Sequence, residues 1–289
     1  MSADASVIVA APSAPARRAA RVPVSVAIGM AVLCAVAVLV IFGDLLPVQD
    51  PLAQNLSATL KTSSGAHLLG TDQIGRDVLA RVVAGARGSV VGPLVAAFGC
   101  AVVGGSLGLL AGYSGGLADV IVSRVVDIMY ALPGLLVLIV FVGVVGGTYW
   151  MTAVVLIALG WPYQARLCRS ATLAQSRLTY VEAARTIGFR RSRILRRHVM
   201  PNIFPIILTT FMLDFVSCVL GFSALAFLGL SSTDGSPDWG SMIAQGQAYL
   251  TTNPWISLAP ALALVAMAAG ATLVGDWAYD RLARRGVGE

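Results

Sequence analysis

Six apolar runs, each near the length a helix needs to cross about 30 Å of hydrocarbon, dominate this chain and leave it few ways to fold. They are Val24–Leu46, Ser89–Tyr113, Val120–Gly147, Trp150–Leu167, Ile203–Leu230 and Trp255–Tyr279. Lipid offers no partner for backbone N–H and C=O groups, so such a run must satisfy them within its own segment, as a helix. The expected fold class is all-α: a polytopic membrane protein with about six transmembrane helices. Only 12% of the 289 residues are charged, where soluble domains carry about 25%. No polar stretch is long enough to build a second core, which leaves one membrane domain over 24–285 between short tails at 1–23 and 286–289. The first tail is small, polar and Ala/Pro-rich, and is expected to be disordered and cytoplasmic. The run behind Arg17, Arg18 and Arg21 exceeds the roughly 7–15 apolar residues of a signal peptide, so it reads as an uncleaved first span.

Charge sets an orientation. With the N-terminus inside, Arg17, Arg18 and Arg21, nine arginines from Arg166 to Arg197, and Arg281, Arg284 and Arg285 fall on the cytoplasmic side, fifteen of the twenty basic residues. Lys61, Arg76, Arg81 and Arg87 fall outside, and Arg124 sits at the inner end of the third span. This asymmetry follows the positive-inside rule and accounts for most of the net charge of +6, so nucleic acid need not be invoked as a partner. Both termini are then cytoplasmic, 47–88 and 231–254 are external loops, and 168–202 is a cytoplasmic connection. The second external loop is rich in Gly, Ser, Pro and Asp, as a turn-containing segment should be.

Within the cytoplasmic connection, Tyr180–Asn202 reads YVEAARTIGFRRSRILRRHVMPN and carries six of the twenty bases. Thr179 and Glu182 have the spacing of a capping box, which predicts a short helix starting at Tyr180. Gly188 can take the positive φ that ends it, Ser192 is placed to cap a second helix, RILRRHV, and Pro201 is expected to limit that one. Val181, Ala184 and Ile187 share one face, while Ala183 keeps the other slim. A loop resting on anionic lipid would account for the arginines. It would not account for two caps and a fixed glycine, which point to a rigid docking element.

The pattern Glu182, Ala183, Ala184 and Gly188, followed by Ile194, His198, Pro201 and Asn202, resembles the cytoplasmic loop of permease subunits of bacterial ABC importers. More narrowly, it is similar to the C-type subunit of the dipeptide and oligopeptide permease branch. Further stretches carry the same resemblance: LGTDQIGRDVLARVVAGARGS, RVVDIMYALPGLL, WPYQARLCRSATL and VGDWAYDRLARR. The resemblance spans about Val24 to Arg285 and implies the type I importer permease fold in a bacterial plasma membrane. Tyr180–Asn202 would then form a coupling helix seated in a groove of an ATP-hydrolysing subunit, with Tyr180, Glu182 and Gly188 among the coupling residues. Met200 stands where the family usually has leucine, a volume-conserving exchange. The implied partners are a homologous second permease, two ATP-binding subunits that hold ATP and magnesium, an external substrate-binding protein and membrane lipid. Peptides are the leading substrate class, with nickel and glutathione as alternatives.

Charges within spans are costly and need an account. Arg124 and Asp127, three residues apart, are expected to form a structural ion pair. Asp214 has no partner on its own helix; it is a candidate pathway residue, an interhelical acceptor, or the protonatable centre of a stand-alone secondary transporter. His67 and His198 lack neighbours at ligand spacing, so neither a metal site nor a cofactor is expected in this chain. Cys34, Cys100, Cys168 and Cys218 read as buried free thiols. Gly92, Gly104, Gly105, Gly108 and Gly112 predict close helix packing, and Pro133 predicts a kink in the third span. No phosphate-binding GxxxxGK[ST] stretch and no nucleophile–base pair is visible, so the chain is not expected to be an enzyme.

Overall fold

A computed structural model describes residues 22–46, 48–146, 148–230 and 235–286. The tail bearing Arg17, Arg18 and Arg21, and the expectation of disorder placed on it, lie outside the described residues, as do 287–289. The chain is helical, in the order α1 Val24–Phe42, α2 Val78–Ser114, α3 Gly116–Tyr130, α4 Gly134–Val145, α5 Tyr149–Ser176, α6 Thr179–Thr186, α7 Arg191–Ile194, α8 Met200–Phe227, α9 Trp239–Gly246 and α10 Trp255–Gly286.

Among the described residues four helical stretches are long and apolar enough to cross a membrane: α1, α2, α10 and a continuous rod from Arg191 to Phe227. Counted as one broken span, α3 and α4, which meet at 78° across a short break, make a fifth. With 15 and 12 residues, these helices are only about 22 and 18 Å long, so neither spans about 30 Å alone. Pro133 causes the break. It caps α4 with φ −70° and ψ 99°, and its ring disfavours helical geometry at Leu132. The expected kink is thus a rupture. α5 is 28 residues long and less apolar, because Gln164, Arg166 and Arg169 lie along it; it brings the layout close to the six spans expected.

α2 and α5 are the central pair. Gly104, Gly108 and Gly112, one turn apart on α2, run along the α5 backbone, and a Cβ at Gly108 would lie 2.8 Å from the Cβ of Cys168 and 3.0 Å from the N of Arg169. This is the close packing predicted from the glycines, driven by van der Waals contact where lipid removes any hydrophobic incentive. Gly105 faces open space. Around the pair, Ala96, Ala97, Ala153, Phe215, Val219, Met267 and Ala271 join α2, α5, α8 and α10 in one core. Cys218 is a free thiol of this core and Cys100 and Cys168 are buried free thiols too, whereas Cys34 is exposed on α1.

Two segments read as loops are ordered. The segment 235–254 contains α9, capped by Asp238, whose Oδ1 accepts from Ser241 N at 2.9 Å. Trp239 of α9 is fully buried and donates from Nε1 to Val82 O at 2.8 Å. The segment before α2 is pinned by Asp72, which is inaccessible. Its Oδ1 accepts from the N of Ile74 and of Arg76, and its Oδ2 from Arg76 Nε at 2.7 Å and Arg81 Nη1 at 2.6 Å. Arg81 also reaches Gln245 of α9 at 2.9 Å, and Asn253 Nδ2 donates to Thr71 O at 3.0 Å. Burial works to raise the Asp72 pKa, but the hydrogen bonds from Arg76 and Ile74 outweigh it and hold the carboxyl below its usual value. Asp77 Oδ1 caps α2 at Ala80 N, 2.8 Å, and Oδ2 meets His67 Nδ1 at 2.9 Å.

Candidate functional site

At the end of the bundle opposite α9 the chain folds into the hairpin of α6 and α7. α6 ends in a Schellman turn: Phe189 N donates to Ala184 O at 3.1 Å and Gly188 N to Arg185 O at 3.0 Å. Gly188 has φ +83°, and a Cβ there would meet nothing within 4 Å. The expected left-handed glycine is present, and any penalty for replacing it arises in the backbone alone.

The caps differ from expectation. α6 starts at Thr179 after Leu178, with no side-chain cap, and Glu182 N bonds to Leu178 O. Thr179 is already helical, so its hydroxyl cannot take the capping position, and Glu182 projects outward. α7 begins after Arg190 without a side-chain cap; Ser192 is inside the first turn. Pro201 does not limit the second helix. A π-helical turn over Leu195–Val199 joins α7 to α8, and Pro201 follows directly after it, at the start of α8. The second arm of the hairpin and the fifth span are therefore one rod.

A side-chain clip joins both arms. Tyr180 Oη donates to Gln175 Oε1 at 3.1 Å and accepts from Asn202 Nδ2 at 2.9 Å, which also donates to His198 O at 2.7 Å. The His198 ring stacks on Phe189 with centroids 6.3 Å apart. Val181, Ala184, Ile194 and Val199 are buried together against Leu109 of α2. Ile187, expected on that face, instead tops the turn at 72% exposure, because the Schellman geometry swings the residue before Gly188 outward. Ala183, Glu182 and Thr186 are also exposed. Arg193 lies over Phe189 and Arg185 over Tyr113; among the described residues no hairpin arginine forms an ion pair.

The inter-span charges pair differently than expected. Asp127 accepts from Arg166 Nη2 of α5 at 3.2 Å, and Arg124 is exposed without an acidic partner among the described residues. Arg166 also covers the Tyr130 ring at 4.2 Å. The pair links two helices rather than two turns of one, because Arg166 projects from α5 across the α3 face. Asp119 and Arg169 form a second α3–α5 pair, with Arg169 Nη2 to Asp119 Oδ2 at 2.8 Å. Sequence reasoning missed both, since nothing in a single sequence matches positions 39 and 50 residues apart. Asp214 is 7% exposed on α8 and lines a cavity of about 460 Å³ with Tyr130, Tyr163 and Ser217. No group of three or more His, Cys, Asp or Glu suited to a metal occurs among the described residues.

The exposed turn and the clip both lie in the part of the chain that matches a known family. Residues 104–286 match the family described as binding-protein-dependent transport system inner membrane component. The chain is 34% identical over 244 residues to the probable D,D-dipeptide transport system permease protein of Escherichia coli K12, covering 84% of this chain and 82% of that protein. This chain belongs to that family. It is 32% identical over 266 residues to a glutathione transport system permease protein of Pectobacterium atrosepticum, covering 92% and 88%. It is 31% identical over 255 residues to a dipeptide transport system permease protein of Alkalihalophilus pseudofirmus, covering 88% and 84%. A solved structure of inward-facing conformations of the MetNI methionine ABC transporter superposes with TM-score 0.59 at 19% identity, covering 71% of this chain and 97% of that one. The protein is thus a multi-pass inner-membrane permease of the ABC importer fold. Membership implies an ATPase and a substrate-binding protein as partners.

Proposed function

We propose that this permease imports di- or oligopeptides, forming half of a pathway completed by a homologous second permease, and that the Tyr180–Asn202 hairpin couples it to an ATP-hydrolysing subunit. The observation that carries the coupling role is the turn itself: an exposed apolar tip, Ile187, set beside Ala183 and unpaired arginines on a stalk whose other face is locked into α2 and α8. A loop lying on lipid would need no such lock. Tyr180, Glu182, Ala183 and Gly188 present the contact surface. Ala184, Ile194, His198, Pro201 and Asn202 hold its shape. Peptide is favoured over nickel because the matched relatives are named for dipeptides and glutathione, itself a peptide. Family membership favours the ATP-driven reading over a stand-alone proton-coupled carrier. Both termini and the hairpin are assigned to the cytoplasm, ATP and magnesium to the partner subunits.

The test is co-purification of the ATPase subunits with the Gly188→Val permease, followed by ATP hydrolysis and dipeptide uptake in proteoliposomes. Loss of docking and uptake with intact pairing of the two permeases supports the assignment. Full uptake by that complex, or uptake by this chain without any ATPase, would overturn it.

A further inference from the structure

We infer that the cavity between α3, α5 and α8 receives the ammonium group of the transported solute, with Asp214 as its counter-charge. The inference rests on the peptide-import reading, since a free peptide N-terminus carries that group.

Asp214 stands apart from the other buried carboxylates. Asp72 accepts four hydrogen bonds and Asp77 is held by Ala80 N and His67. Asp214 is nearly as withdrawn from solvent, yet its buried Oδ2 has no hydrogen-bond partner. A buried carboxylate without a donor is costly, and such a group persists where something else completes it. An interhelical acceptor would have found its donor already. The cation on the adjoining wall, Arg166, does not serve: its guanidinium lies over the Tyr130 ring and is engaged by Asp127.

The cavity suits a small cation. Its volume of about 460 Å³ falls in the range of small-ligand sites. Tyr130 and Tyr163 line it beside Asp214; Arg166 already covers a face of Tyr130, which leaves Tyr163 as the ring to attract an ammonium group. Ser217, three residues along α8 from Asp214, donates its own hydroxyl to Leu213 O at 3.0 Å and leaves its lone pairs to the cavity. A metal ion would need further anionic ligands, which this wall lacks, and a carboxylate would be repelled. What remains is a donor-rich, singly positive group.

The experiment uses the complete complex in proteoliposomes, with Cys34, Cys100, Cys168 and Cys218 of this chain replaced by alanine and Ser217→Cys introduced. Modification of position 217 is followed by mass spectrometry with aminoethyl and sulfonatoethyl methanethiosulfonates, each rate scaled to that of a free thiol. The cationic reagent should react at least about tenfold faster, as a nearby uncompensated carboxylate requires. Asp214→Asn should abolish the preference and Asp214→Glu retain it. Millimolar L-Ala-L-Ala should slow labelling where N-acetyl-L-Ala-L-Ala does not. Equal rates for the two reagents, no labelling by either, a preference unchanged in Asp214→Asn, or equal protection by the two peptides would each overturn the inference. ATP-dependent dipeptide uptake by the complex of native sequence is measured alongside, so that a failed cavity assignment is distinguished from a failed transport assignment.

Discussion

At residue 188 the chain isolates a backbone effect cleanly. Since a side chain would meet nothing of this chain within 4 Å, substitutions there act on the fold through the left-handed φ alone, a penalty of about 1–2 kcal/mol for most residues. Asparagine tolerates that conformation, so Gly188→Asn should keep ATPase co-purification near normal while Gly188→Val loses most of it; equal losses would place the effect in the new side chain's contact with the partner instead. Asp72 offers the electrostatic counterpart. Asp72→Asn leaves Arg81, 2% exposed, without its counter-charge, and breaking such a pair typically costs about 3–5 kcal/mol. The thermal midpoint of the detergent-solubilised permease should fall accordingly. Because the folded pKa of Asp72 lies below its ordinary 3.8, its contribution is complete above that value and is lost as pH falls through the depressed folded pKa. Unfolding scans from pH 6 to pH 3 should therefore show the native protein losing stability at the acid end and Asp72→Asn losing less.

Elements were legible where one local signal decided them. The apolar runs placed the spans, Gly188 placed the turn, and Pro133 placed the discontinuity between α3 and α4. The capping box at Thr179 and Glu182 was read from spacing alone, and it failed because Leu178 already supplies the carbonyl that starts α6. α9 was missed since its eight residues carry no membrane-length run, and its burial depends on Trp239 finding Val82 across 157 residues. Long-range pairs such as Arg166 with Asp127, and Tyr180 with Asn202, have no signature in one sequence. The clip and the failed cap give opposite expectations. Asn202→Ala should weaken the hairpin by about 1 kcal/mol and raise amide exchange over 180–199, whereas Thr179→Ala should leave exchange unchanged.

For the whole molecule the first question is which way it faces. In a background lacking the native cysteines, Ser236→Cys should react with an impermeant thiol reagent added outside and Ser192→Cys should not; the reverse would invert every assignment of side. The second is how a push at one end is felt at the other. The rod from Arg191 to Phe227 is unbroken, and the helical rise from Ile194 to Asp214 is about 30 Å. A tilt of about 5° pivoting at the foot would displace the acid by about 2.6 Å over that radius, roughly the difference between a hydrogen bond and none. In the language of machines, the foot that backs the turn proposed to meet the motor and the acid proposed to hold the cargo are fixed to a single crank, so grip and release need no messenger between them.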